Sequence, residues 1–155
     1  MYSYTTFVRP VLEYANTVWF PHNITNINQL EKVQRKAIRF IHNKYKRTDS
    51  PTHLLASSGL DTLAIRAKQA RLKFMHNLLH NRFNINSSNY INFSNSRISR
   101  NKHDKTLDEY FCNSNTFKFS FFPTAVREWN RLDPTIANIE SSSNFCHALE
   151  NKPKP

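Results

Sequence analysis

The stretch Asn26-Ile27-Asn28-Gln29-Leu30-Glu31-Lys32-Val33-Gln34-Arg35-Lys36-Ala37-Ile38-Arg39-Phe40-Ile41-His42 settles what kind of element this chain is built from. Ile27, Leu30, Val33, Ala37 and Ile41 recur at three- and four-residue intervals, which predicts a narrow apolar seam along an α-helix. Asn26 can cap that helix, with Gln29 three residues on in a capping-box-like arrangement. Lys32, Arg35, Lys36 and Arg39 occupy other positions and form a cationic stripe, which continues through Lys44, Lys46 and Arg47. The helix fades into a turn near Thr48.

The helical pattern extends to both sides. Residues 3–19 carry apolar positions at Phe7, Val11, Ala15 and Val18/Trp19, near the 3.6 period. Pro10 either kinks this segment or opens a second helix at its first turn. Phe20-Pro21 ends it, because the residue before proline is pushed out of the α region. Asp49-Ser50-Pro51 is a start signal and Gly59 a stop signal, so 51–58 is a short helix with Leu54 and Leu55 inward. Asp61 or Thr62 then caps a long helix to about Arg82. Its predicted apolar face is Leu63, Ala67, Ala70, Phe74 and Leu78, widened by Ala64, Met75 and Leu79. Its predicted outer face carries Arg66, Lys68, Arg71, Lys73 and His76.

The C-terminal half changes character. Residues 83–104 are rich in Asn and Ser, with Arg97, Arg100, Lys102 and His103, and read as a linker tacked down by Tyr90, Ile91 and Phe93. Phe117, Phe119 and Phe121 alternate with Thr116, Lys118 and Ser120, which predicts a short strand. Pro123 ends it and can open a helix covering Val126, Trp129 and Leu132. A last amphipathic turn or two runs from about Ser143, with Phe145, Ala148 and Leu149 inward, before a solvated tail. The expected organisation is a basic helical bundle over 1–82, a linker over 83–104, a small C-terminal aromatic element over 105–150 and a tail over 151–155. The fold class is mainly α, a small helical bundle with a short C-terminal aromatic strand or hairpin and a helix.

Composition narrows the function. The 155 residues include 22 Lys and Arg against 11 Asp and Glu, a formal net charge of +11, with 12 Phe and one Gly. One glycine excludes a phosphate loop or a dinucleotide fingerprint, which both need several. It equally excludes a Gly-x-Ser-x-Gly nucleophile elbow. The only adjacent carboxylates, Asp108 and Glu109, point different ways on a helix or a strand and make no metal pair. His76 and His80 stand at i, i+4, yet no third ligand is near in sequence, and Cys112 and Cys146 lack zinc spacing. No catalytic residue, metal site or cofactor is therefore expected. No apolar run approaches the length of a bilayer span, and the polar-aromatic N-terminus with Arg9 and Pro10 is not a signal peptide. The expected location is intracellular, nuclear or cytoplasmic. The basic faces lack the apolar wedge of a membrane-surface helix, so no membrane partner is expected.

Twelve Lys and Arg lie between Glu31 and Arg82, opposed only by Glu31, Asp49 and Asp61. That excess is the footprint of a phosphate-contacting surface, and such contacts supply affinity without reading sequence. The expected contacts are Lys32, Arg35, Lys36 and Arg39, with Arg66, Arg71 and Lys73 as a second row. Trp19 and Trp129, with Phe121 and Phe122, read as structural rather than as stacking platforms.

Four stretches together resemble the C-terminal part of the reverse transcriptase of a non-LTR (LINE-type, jockey-like) retrotransposon. The first is Phe7-Val8-Arg9-Pro10-Val11-Leu12-Glu13-Tyr14-Ala15 followed by Val18-Trp19. The second is Leu30-Glu31-Lys32-Val33-Gln34-Arg35-Lys36-Ala37 with Arg39-Phe40. The third is Gly59-Leu60-Asp61-Thr62-Leu63 with Arg66. The fourth is Ser120-Phe121-Phe122-Pro123 with Trp129-Asn130-Arg131-Leu132. The resemblance runs over nearly the whole chain. It implies a thumb-like helical bundle that grips a template–primer duplex, an RNA–DNA hybrid included, by its RNA or DNA backbone. The family's polymerase uses palm aspartates in an Asp-Asp motif, and no Asp-Asp occurs here. Met1 falls about where the thumb would begin, so the resemblance implies a truncated fragment with no polymerase activity of its own. Two alternatives stay open. One is a helical protein-interaction module, for instance one docking on an intact reverse transcriptase of the same element. The other is a non-functional translated remnant.

Overall fold

The computed structural model of the chain describes residues 2–95 and 103–151. Arg97, Arg100 and Lys102 of the expected linker, and the expected tail from Lys152, lie outside the described residues. The chain is mainly helical, as expected of a small helical bundle. Among the described residues no helix is long and apolar enough to cross a membrane.

The chain divides into two compact units, residues 1–67 and 68–155. The division falls inside the long helix, which ends at Leu79 rather than near Arg82 as expected. The C-terminal part of that helix supplies Leu72, Met75 and Leu78 to a core completed by residues 91–149.

In the first unit a π-helical turn, Tyr4–Val8, runs into α1 (Arg9–Glu13), with Pro10 in its first turn. A widened turn is one way a helix absorbs a missing N–H and a proline ring. Ala15 at φ 50° breaks the helix, and α2 (Asn16–Trp19) follows. The expected inward positions of this segment are instead exposed, Phe7, Val11 and Val18 each at 73%. Tyr4 and Asn16 are the buried residues.

Helix α3 (Ile24–His42) starts three residues earlier than the sequence suggests. Its cap is Asn23, whose side chain accepts from the Thr25 amide at 2.9 Å. Asn43 ends it in the left-handed conformation, where its amide reaches the Arg39 and Phe40 carbonyls. Helix α4 (Pro51–Ser57) opens on Ser50 with Pro51 in the first turn, and Gly59 at φ 64° closes it, as the start and stop signals predict. Helix α5 (Leu63–Leu79) begins in this unit.

The second unit holds the rest of α5 and a core of Leu72, Met75, Leu78, Ile91, Leu107, Val126, Trp129 and Phe145, among others. The expected linker is partly built in. Ile91 is buried, and Phe93 bridges Leu107 in an isolated antiparallel pair. His103 is 2% exposed and bonds through Nε2 to the Trp129 carbonyl at 3.0 Å.

The expected Phe117–Phe121 strand does not form. Residues Asn115–Lys118 make one helical turn, α6, followed by α7 (Phe121–Asn130). Ser114 caps the turn by accepting from the Phe117 amide, and the Ser120 hydroxyl donates to the Phe117 carbonyl at 2.7 Å. Local serine bonds of this kind offer the backbone an alternative to a ladder, and among the described residues no second strand is available to pair. Pro123 lies in the first turn of α7, where its missing N–H leaves no bond unmade. Helices α8 (Pro134–Ala137) and α9 (Ser142–Glu150) are the last elements among the described residues. Phe145 and Leu149 face inward as predicted.

Candidate nucleic-acid interface

The basic face belongs to α3, and its orientation follows from what the helix buries. Glu31, Gln34 and Ile38 are its buried residues. In a helix of 3.6 residues per turn, the opposite side then carries Gln29, Lys32, Val33, Lys36 and Phe40. All five are exposed, Val33 at 42% and Phe40 at 76%. The sequence pattern places Val33 in the seam; the fold instead exposes it and buries Glu31. Ile27, Leu30, Ala37 and Ile41 flank the buried line at intermediate exposure.

The reversal has a specific cause. Glu31 Oε1 accepts from the Ala64 amide at 3.0 Å, in the first turn of α5. Gln34 Nε2 donates to the Asp61 carbonyl at 2.9 Å, just before that helix begins. The first N–H groups of a helix have no partner within it, and its positive end favours a carboxylate. Two polar residues of α3 therefore face inward because they hold the start of α5. The sequence carries a faint signal of this: Glu31 is the one acid of a helix that holds two lysines and two arginines.

The four expected phosphate contacts separate into two kinds. Lys32 and Lys36 are exposed, one turn apart, and among the described residues make no ion pair. Arg35 and Arg39 lie on the flank of this face at intermediate exposure. Arg35 Nη2 donates to the Asn28 carbonyl at 3.4 Å, and Arg39 Nη2 to the Asp49 carbonyl at 3.1 Å. Arg39 Nε is buried without a partner. Lys32 and Arg35 also border a shallow depression with Thr25, Asn28 and Gln29, all of them polar donors or acceptors.

The expected second row is engaged within the chain. Arg66 forks onto Glu13, with Nη2 donating to Oε2 at 2.9 Å and Nε donating to Oε1. That bond to Glu13 raises the Arg66 guanidinium above its already high value. Arg71 forks onto Glu128 at 2.9 and 2.7 Å, and Lys73 reaches Glu150 at 2.8 Å. A phosphate would have to displace a carboxylate at each of these three positions, whereas at Lys32 and Lys36 it would displace only water. Arg66 belongs to the first unit, and Arg71 and Lys73 to the second.

The histidine pair is likewise structural. His76, expected on the outer face of the long helix, is fully buried. Its Nε2 meets the Ile139 carbonyl at 2.7 Å, and its ring stacks on Phe145 with centroids 4.2 Å apart. Burial lowers its pKa from the ordinary histidine value. Nδ1 of His80 is 2.8 Å from the His76 carbonyl, so one ring nitrogen of each histidine is occupied by backbone. Among the described residues no group of three or more potential metal ligands comes together.

Trp129 is fully buried, with its indole N–H on the Lys105 carbonyl at 2.9 Å. Trp19 is 44% exposed and donates to the Tyr14 carbonyl. Tyr4, in the N-terminal segment, is buried, which pushes its phenol up to about 12. No family model, no curated protein and no solved structure matches the chain.

Proposed function

We propose that the chain is a thumb-like fragment of a non-LTR retrotransposon reverse transcriptase that holds a template–primer duplex by its phosphate backbone and does not polymerise by itself. The observation that carries this reading is the outward face of α3. Lys32 and Lys36 stand there without carboxylate partners among the described residues, on the side opposite the buried Glu31 and Gln34. Arg35 and Arg39 flank them with spare guanidinium donors. The four stretches that resemble the retroelement enzymes include this helix. Without an Asp-Asp pair, the sequence offers no palm-type metal site. Backbone contacts of this kind bind without reading sequence.

The test is anisotropy of a labelled RNA–DNA hybrid titrated with the purified chain across salt. The expected result is an affinity that falls steeply with salt, with a slope reduced by about 1 for each phosphate contact removed. Lys32→Glu with Arg35→Glu should abolish binding, while Arg71→Gln should change it little. Salt-independent binding, or none from a folded sample, would overturn the reading.

One observation favours the second reading, a helical protein-interaction module. Phe7, Val11, Tyr14 and Val18 of the N-terminal segment are each at least 73% exposed. A run of large exposed apolar side chains marks a contact surface more often than scattered ones do. The double charge reversal in α3 would leave that surface intact, so partner capture that survives it would favour docking over nucleic-acid binding. A chain that showed neither property would be a remnant.

A further inference from the structure

The C-terminal end of α3 carries a feature that duplex-backbone binding does not use. Phe40 is 76% exposed and Tyr45 is 59% exposed. A single exposed aromatic needs no explanation. Here two stand five residues apart, framed by Lys36, Lys44, Lys46 and Arg47, all exposed.

The segment that presents them is held in place. The Asn43 and Lys44 amides bond the Phe40 and Arg39 carbonyls at 3.2 and 3.0 Å. Arg39 Nη2 reaches across to the Asp49 carbonyl, and the Asp49 amide returns to the Lys46 carbonyl at 3.0 Å. Asp49, the one acid of the segment, turns its carboxylate onto the Lys46 amide at 3.0 Å. Tyr45, Lys44 and Lys46 line a shallow depression with Asn43, Thr48 and Asp49, and Lys44, Lys46 and Arg47 outnumber that one acid.

We infer that this end of α3 is a binding platform for unpaired nucleotides, in which Phe40 and Tyr45 stack on bases while Lys36, Lys44, Lys46 and Arg47 hold the phosphates between them. Stacking on an aromatic face combined with a cationic track is the general chemistry of single-strand recognition. A duplex keeps its base faces stacked on one another, so it has nothing to offer the two rings. The inference extends the basic face proposed above to a different ligand, a single strand beside the duplex.

The experiment compares labelled 12-nucleotide oligo-U and oligo-dT with a 12-base-pair RNA–DNA hybrid, using the full chain. Phe40→Ala and Tyr45→Ala should each weaken single-strand binding about 5- to 100-fold. They should leave hybrid binding within about twofold and the salt slope unchanged, since no phosphate contact is lost. Lys36→Gln should weaken both ligands and lower both slopes. Phe40→Trp should keep the affinity and add an emission that the oligonucleotide quenches, which a purely structural role for the ring would not produce. Alanine variants that bind single strands as well as the parent overturn the inference. So does a parent that binds the hybrid but neither oligonucleotide, a result that leaves the duplex reading standing. A parent that binds the oligonucleotides in a ring-dependent way but not the hybrid supports the inference while sinking the duplex reading. Loss of a captured protein partner in Phe40→Ala, with oligonucleotide binding unchanged, assigns the rings to protein docking instead.

Discussion

The Glu31 carboxylate accepts the Ala64 amide where α5 begins, while Thr62 Oγ1 accepts the Ile65 amide one residue on. Between them two of the orphan N–H groups of that helix are satisfied, one from its own cap and one from another element. A carboxylate there also meets the positive end of the helix dipole. Glu31→Ala removes the acceptor and leaves a part-buried amide unpaired, so it should destabilise the first unit by about 1 kcal/mol, within the range for lost caps. Glu31→Gln keeps an oxygen in place and should recover most of that loss. Urea midpoints of the parent and the two variants check this; an alanine variant as stable as the parent would remove Glu31 from the cap. Because the change is on the buried side of α3, the hybrid affinity of the folded alanine variant should stay within about twofold.

At the scale of elements, α5 is held by ion pairs that differ in kind. Arg71 and Glu128 are forked, with side chains 12% and 18% exposed, whereas Lys73 and Glu150 make one bond at 32% and 55%. A forked, desolvated pair is geometrically fixed, and an exposed single bond loses most of its worth to solvent and salt. A double-mutant cycle on Arg71→Ala and Glu128→Ala should give a coupling of about 1–2 kcal/mol, and the Lys73/Glu150 cycle less than about 0.5. Equal couplings would contradict the argument. These pairs also explain what was legible in the sequence. The boundaries of α4, the start of α5 and the inward faces of Phe145 and Leu149 follow from caps, proline, glycine and period, all of which are local. Which cations of α5 stay free depends on Glu13, Glu128 and Glu150, between 53 and 77 residues away in sequence. No pattern within a helix encodes those partners. The exposed side of α3 was misplaced by the same kind of distant demand, since Glu31 and Gln34 answer to the start of α5. The Phe117–Phe121 alternation was too short to outweigh the serines at its two ends.

At the scale of the molecule, a chain of net charge +11 keeps one histidine neutral at the heart of its second unit. His76 is enclosed by Phe145, Trp129 and His80, and its burial, with smaller contributions from His80 and Arg82, disfavours an imidazolium. Its Nε2 is bonded to the Ile139 carbonyl, while its Nδ1 is buried with no partner. A second proton would sit on that buried Nδ1. The folded pKa is therefore below the unfolded value of about 6.5. Above about pH 6.5 neither state binds the proton and the stability is complete. As the pH falls below that value, the unfolded chain takes up a proton that the folded unit refuses. Stability then declines, by at most about 1.4 kcal/mol per pH unit for this one group, until the folded imidazole protonates as well. Trp129, fully buried beside it, reports the transition once Trp19→Phe has removed the other indole. Urea midpoints read this way should fall between pH 7.5 and 5.5. In His76→Phe, which keeps the ring stack but neither nitrogen, the fall should be shallower although the variant starts lower for want of the Ile139 bond. A phenylalanine variant whose midpoint fell with pH as steeply as the parent's would place the sensitivity elsewhere in the unit.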